Sequence, residues 1–143
     1  VPEFLARKKA DAVSHLVQDA IVIAADTVVL LDHHILGKPA DAAHAKQILQ
    51  QLSGRMHKVV TGVCMRKGAK ELSFSTTTEV YFRKLTDSHI DHFIERYKPF
   101  DKAGAYAIQE WIGVIGIEKI NGDYYNVMGL PIGEVYKALS TFD

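Results

Sequence analysis

The stretch 20–31 (Ala-Ile-Val-Ile-Ala-Ala-Asp-Thr-Val-Val-Leu-Leu) constrains the fold more than any other part of the chain. A run this apolar and this rich in branched side chains reads as a strand buried on both faces. Asp26 lies in its middle. A carboxylate there is costly unless a cation, a metal or several donors meet it. Two readings follow. Asp26 is a strand-end aspartate that caps a turn or answers a buried lysine, or it is a working group that binds a divalent cation or takes a proton from water. Thr27 stands beside it with a donor and an acceptor.

A length of 143 residues fits one domain, 1–143, with a sizeable core. Lys plus Arg equals Asp plus Glu at 17 each, so no basic field draws the chain to a nucleic acid polymer. Any anionic ligand must then be held by a few placed cations. Cys64 is the single cysteine, which excludes an intrachain disulfide and fits a reducing, cytoplasmic setting. No uninterrupted apolar stretch reaches membrane-spanning length, and Val1-Pro2-Glu3 does not open a signal peptide. The sequence starts without methionine and enters helical patterning at once, so further residues are expected before Val1.

Residues 2–18 read as a helix with Leu5, Ala12 and Leu16 on one stripe and Lys9 at its edge. After strand 20–31, Asp32-His33-His34 forms a turn, and Ile35-Leu36 leads into Gly37-Lys38-Pro39. Asp41 caps a helix with core positions Ala45, Ile48, Leu49 and Leu52, closed by Ser53-Gly54. Strands 57–65 and 71–83 pair as a hairpin around Lys67-Gly68. The second alternates through Leu72, Phe74, Thr76, Thr78, Val80 and Phe82. Thr86 caps a helix with Ile90, Phe93, Ile94 and Tyr97 inward, stopped by Pro99. Strands are expected at about 111–120 and at 124–127, separated by the turn Asn121-Gly122-Asp123. Pro131 opens a last helix with Ile132, Val135, Tyr136 and Leu139 inward. Interleaved helices and strands with a hairpin predict an α/β fold on a mixed sheet.

Several other residues invite chemistry. Lys38, between Gly and Pro, suits a phosphate or is an exposed loop lysine; the pattern of a P-loop is absent. Lys9 either snorkels to solvent or lines a cleft as a positive charge. Lys102 suits phosphate, and Asp101 suits a metal or Lys102 itself, although a surface ion pair contributes little. The Gln109 amide presents paired donor and acceptor groups to a base edge. His89 and His92 are three apart on a helix, but no other histidine or cysteine is spaced to complete a zinc site. The seven histidines read as distractions from the chemistry, with His89 and His92 on a solvated helix face and His33-His34 in a turn. Met56, Met65 and Met128 read as packing, and Trp111 and Tyr106 as core.

Taken together, these segments resemble the Maf family of nucleoside triphosphate pyrophosphatases, the septum-formation inhibitor Maf-like proteins. The matching stretches are Leu5-Ala6-Arg7-Lys8-Lys9-Ala10, Ala25-Asp26-Thr27-Val28-Val29, Leu36-Gly37-Lys38-Pro39, Leu52-Ser53-Gly54 with His57, and Thr61-Gly62-Val63. They continue with Asp101-Lys102-Ala103-Gly104-Ala105-Tyr106, Ile108-Gln109, and Asn121-Gly122-Asp123-Tyr124 through Gly129-Leu130-Pro131. Each alone is weak. In the family's order, over nearly the whole chain, they are specific.

The resemblance implies an α/β fold of the inosine-triphosphatase-like kind, with an elongated mixed sheet and a cleft between two lobes. It implies hydrolysis of a nucleoside triphosphate to the monophosphate and pyrophosphate, assisted by magnesium or manganese, and relatives that are often dimers. On the motif, Asp26 looks like the proton acceptor, and Lys9 and Lys38 like triphosphate ligands. Thr27 and Gln109 match positions that mark the branch acting on dTTP and UTP, whereas the branch acting on 7-methyl-GTP typically carries Glu near Gln109. The family's opening Ser-x-Ser-Pro-Arg-Arg loop and the acidic segment after it do not occur in this sequence. A molecule that truly began at Val1 is expected to show little activity. Ala107 stands where many relatives have Gly. The readings to be separated are a dTTP/UTP pyrophosphatase, the same chemistry on 7-methyl-GTP or another nucleotide, and a non-catalytic nucleotide-binding regulator of cell division.

Overall fold

The computed structural model describes residues 1–14 and 20–142. Helix α1 spans Pro2–Ser14. The rest of the expected helix, Leu16 and Val17 included, lies outside the described residues. Strand β1 (Val22–Leu31) turns through Asp32 and His33 into the short β2 (His34–Leu36). Helix α2 (Ala42–Leu52) leads to β3 (Met56–Lys67) and β4 (Lys70–Phe82), which form the predicted hairpin. Helices α3 (Asp87–Tyr97) and α4 (Trp111–Gly116) precede β5 (Ile117–Asn121), and α5 (Tyr124–Met128) and α6 (Ile132–Leu139) close the chain.

The strand order is β2-β1-β3-β4-β5, and every pairing among the described residues is antiparallel. The α/β class is as expected, but the sheet is not mixed. The reason is topological. β2 and β3 run the same way and are joined through α2, yet β1 lies between them and is antiparallel to both. A helical crossover therefore exists without placing two parallel strands side by side.

The caps read from sequence are in place. Asp41 Oδ1 accepts the His44 N–H at 2.8 Å, and Thr86 Oγ1 accepts the His89 N–H at 3.1 Å. Ala45, Ile48, Leu49 and Leu52 of α2 meet Ile90, Phe93 and Ile94 of α3 in the main core, on the face of the sheet carrying Val29, Val59 and Val80. A second cluster on that face joins Val63 and Met65 to Val135 of α6.

Helix α1 covers the opposite face, and its buried side is Ala6 and Ala10, not the Leu5–Ala12 stripe. Leu5 is half-buried and Ala12 exposed. Close approach explains the change. A Cβ on Gly62 would overlap the backbone of Pro2 and Glu3, so the helix rests on the sheet where small residues, Ala6 and Ala10 against Ala24 and Cys64, permit it. Arg66 ties this contact down by pairing with Asp11 and Glu71, while Arg7 pairs with Glu71 at 3.1 Å.

The expected strand at about 111–120 is helical in its first half and strand β5 from Ile117, and the expected strand at 124–127 is a helix. In 111–116 the apolar, β-branched composition predicts extension, but Ile112 is fully buried and Gly113 sits where any Cβ would overlap the Ile108 carbonyl. Trp111 stacks on Tyr97. Tertiary packing overrides local preference there. At 124–128 the decisive residue is Asp123, whose Oδ1 accepts the N–H groups of Tyr125 at 2.8 Å and Asn126 at 3.4 Å and so caps a helix.

Candidate active site

Adjacent strand residues point to opposite faces, and this separates Asp26 from Thr27. Asp26 is on the α1 side. Lys9 Nζ donates to Asp26 Oδ1 at 2.9 Å and to the Ala25 carbonyl at 3.0 Å. The carboxylate in the apolar run is thus met by a cation from a distant segment. It is not sealed in: its side chain is 21% exposed and that of Lys9 57%. A pair this open to water stabilises the fold by no more than about 1 kcal/mol.

Thr27 looks the other way, into a cavity of about 220 Å³ that Lys102, Tyr106, Gln109, Met128 and Gly129 also line. The structure therefore brings Thr27, Lys102 and Gln109 together on one face and Asp26 with Lys9 on the other. The sheet between them is open at this level. β2 covers β1 only from Val29 to Leu31, so the outer edge of β1 over 22–28 pairs with no described strand.

The segment bearing Lys102 is held by an uncommon backbone. Gly104 and Ala105 both have positive φ, 72° and 67°, and a Cβ on Gly104 would come within 2.9–3.1 Å of Val29 carbons. Glycine is needed there for conformation and for space. The Gly104 N–H donates to the Gly37 carbonyl at 3.1 Å, which fastens the Gly37-Lys38-Pro39 loop beside the segment. Lys38 itself is exposed and takes no ion pair among the described residues. Lys102 is loosely held, 3.5 Å from Asp101 and 3.9 Å from Glu110, which leaves its ammonium free to turn to an anion. Ala107 lines the cavity, where its methyl takes up space.

Beneath the cavity lies a polar layer that sequence reasoning passed over. Thr61, fully buried on β3, has its hydroxyl 2.9 Å from that of Thr27 and 3.3 Å from the Asn126 carbonyl. The two N–H groups of the Asn126 amide are shared among the carbonyls of Val59 at 3.2 Å and Thr76 at 3.1 Å and Thr78 Oγ1 at 3.0 Å. They pin α5, and with it Met128 and Gly129, to the sheet. Gly129 has φ of 125°. Met128, expected as packing, is 46% exposed at the cavity.

His57, set aside with the other histidines in the sequence reading, is 1% exposed. Its Nε2 lies 2.6 Å from the Tyr106 hydroxyl, and both rings pack edge-on against Phe82. Burial lowers its pKa from 6.5 to about 4 and pushes the Tyr106 phenol up, so both are neutral at pH 7. The sign of the linkage follows. The neutral ring is favoured in the fold, so its contribution is complete above pH 6.5 and is lost as pH falls from 6.5 to 4. The loss is about 3 kcal/mol. Urea unfolding between pH 7 and pH 4 should show the decline, and His57→Gln should flatten it; an equal slope in the variant contradicts this assignment. The period-two pattern of β3 carried the signal, since His57 and Thr61 share the face of Val59 and Val63. Asn126 had no such signal.

Among the described residues, no three of the histidine, cysteine, aspartate and glutamate side chains converge as a metal site. His89 and His92 are exposed and edge against Trp111. No described helix is long and apolar enough to cross a membrane.

A family model described as "Maf-like protein" matches residues 1–142. The chain is 50% identical over 145 residues to a dTTP/UTP pyrophosphatase of Porphyromonas gingivalis, covering 99% of this chain and 73% of that protein. It is 49% identical over 139 residues to a dTTP/UTP pyrophosphatase of Cytophaga hutchinsonii, covering 97% of this chain and 64% of the relative's length. A dTTP/UTP pyrophosphatase of Parabacteroides distasonis is 46% identical over 143 residues, covering 99% of this chain and 74% of its own.

Proposed function

This chain belongs to the Maf family, and on that premise we propose that it is a dTTP/UTP pyrophosphatase, releasing pyrophosphate and the nucleoside monophosphate in the cytoplasm. One observation carries the reading beyond the family. The open edge of β1 separates a base-sized cavity, with Thr27, Lys102 and Gln109, from a carboxylate–lysine pair on the reverse face. A nucleoside triphosphate has the matching division into a flat base with donors and acceptors and a flexible anionic tail.

In this reading Gln109 and Thr27 hold the pyrimidine, and the tail crosses the edge of β1 towards Asp26. Water attacks the α-phosphorus, and Asp26 accepts its proton. Lys9 shifts from Asp26 to the phosphates as negative charge grows on the departing pyrophosphate, with Lys38 and Lys102 as further cations. No protein nucleophile is required.

A divalent cation, magnesium or manganese, belongs to the proposal. Among the described residues there is no complete cage for it, but one carboxylate sharing the ion with phosphate oxygens is a usual way to hold magnesium, and Asp26 fits that part. When bound, the ion neutralises phosphate charge and polarises the phosphoryl oxygens.

The test is a panel of triphosphates with pyrophosphate release measured for each. We expect kcat/KM for dTTP and UTP to exceed that for 7-methyl-GTP and the purine nucleotides by about tenfold or more, the size that one misplaced buried hydrogen bond produces. Preference for 7-methyl-GTP would defeat the substrate assignment. Binding of dTTP without release of pyrophosphate would leave a nucleotide-binding regulator as the better account.

A further inference from the structure

We propose that Thr61 is a positioning residue that fixes the hydroxyl proton of Thr27, so that the cavity presents a hydrogen-bond acceptor there and selects uracil and thymine over cytosine. This rests on the pyrimidine reading above and extends it to a residue that touches no substrate.

The two hydroxyls are 2.9 Å apart, and each has one other acceptor: the Asn126 carbonyl 3.3 Å from Thr61, the Gly129 carbonyl 3.4 Å from Thr27. Each hydroxyl carries one proton and two lone pairs. If Thr61 donates to Asn126, Thr27 donates to Thr61. If Thr61 donates to Thr27, Thr27 donates to Gly129. Both arrangements spend the Thr27 proton inside the protein and leave a lone pair for the ligand. Turning that proton to a ligand leaves one internal hydrogen bond in place of two, a cost the buried pair resists.

Thr61 enforces this because it is fully buried, with no solvent to serve as a substitute partner. Gln109 cannot make the distinction alone. A primary amide carries a donor and an acceptor at its tip, and rotation by half a turn exchanges them. It therefore accommodates either the C4 carbonyl of uracil or the C4 amino group of cytosine. A fixed acceptor beside it breaks the tie, since uracil and thymine offer a proton at N3 where cytosine offers a lone pair.

The experiment compares kcat/KM for UTP and CTP in the wild-type protein, Thr61→Val and Thr61→Ser, with thermal unfolding followed for each. Valine keeps the shape and removes the hydroxyl; serine restores it. The proposal expects the UTP-to-CTP ratio to fall about tenfold in the valine variant and to stay within about threefold of wild type in the serine variant. A folded Thr61→Val protein that hydrolyses dTTP with an unchanged ratio overturns the role of Thr61 while leaving the pyrophosphatase reading intact. Wild-type protein that turns over neither dTTP nor UTP overturns both. Should the valine variant not fold, UTP methylated at N3 decides the matter with wild-type protein alone: rejection supports the fixed acceptor, and turnover equal to UTP overturns it.

Discussion

Asp26→Asn is expected to lower pyrophosphate release from dTTP by about 10²- to 10⁴-fold, the range that a positioned proton acceptor contributes. The substitution keeps the shape of the side chain and removes its charge and basicity. Nucleotide affinity should be retained, for two reasons. The cavity with Thr27, Lys102 and Gln109 is on the other face of the sheet and is untouched. Lys9, now 2.9 Å from the carboxylate, loses its anionic partner and is freer to meet phosphate. Calorimetric titration with dTTP beside a turnover assay separates the two effects. Hydrolysis within about threefold of wild type would remove Asp26 from the reaction and return it to a structural partner of Lys9. The fold should tolerate the change, because the ion pair is open to water and contributes no more than about 1 kcal/mol.

The largest effect on stability is expected at Asn126, which no part of the reaction uses. Its side chain is fully buried, and the two N–H groups of its amide are shared among two carbonyls and a hydroxyl on β3 and β4. Asn126→Leu fills a similar volume but donates nothing. It takes the amide donor from the Val59 and Thr76 carbonyls beneath α5, at a cost of about 3–5 kcal/mol. For a chain of this size that lowers the melting temperature by roughly 10–20 °C. Because α5 carries Met128 and leads to Gly129, KM for dTTP should rise as well. A loss below about 1 kcal/mol by urea unfolding would show that the amide is not the pin proposed here.

Much of this molecule was readable from residues in order. The caps at Asp41 and Thr86, the core faces of α2 and α3 and the β3–β4 hairpin depend on neighbours within a few positions, and the structure has them as expected. The errors arose where distant residues decide. The stretch 111–116 has strand composition, but a carbonyl from Ile108 and the ring of Tyr97 leave room for a helix. The small-residue side of α1 wins over its leucine because Gly62 lets the helix settle close to the sheet. Every pairing among the described residues is antiparallel, against the mixed sheet that interleaved helices and strands suggested, because β1 lies between β2 and β3.

The candidate site divides in the same way. The sequence by itself determined that a carboxylate stands in the most apolar strand and that lysines and a glutamine accompany it, because chemical identity and local periodicity are written residue by residue. Only the tertiary structure decided that the edge of β1 beside Asp26 and Thr27 pairs with no described strand, that His57 is a buried neutral ring, and that Thr61 and Asn126 lie beneath the cavity. Those facts depend on which strands become neighbours and on where the polar groups of remote segments find partners. Chain closure and burial fix them together, and no local stretch carries them alone.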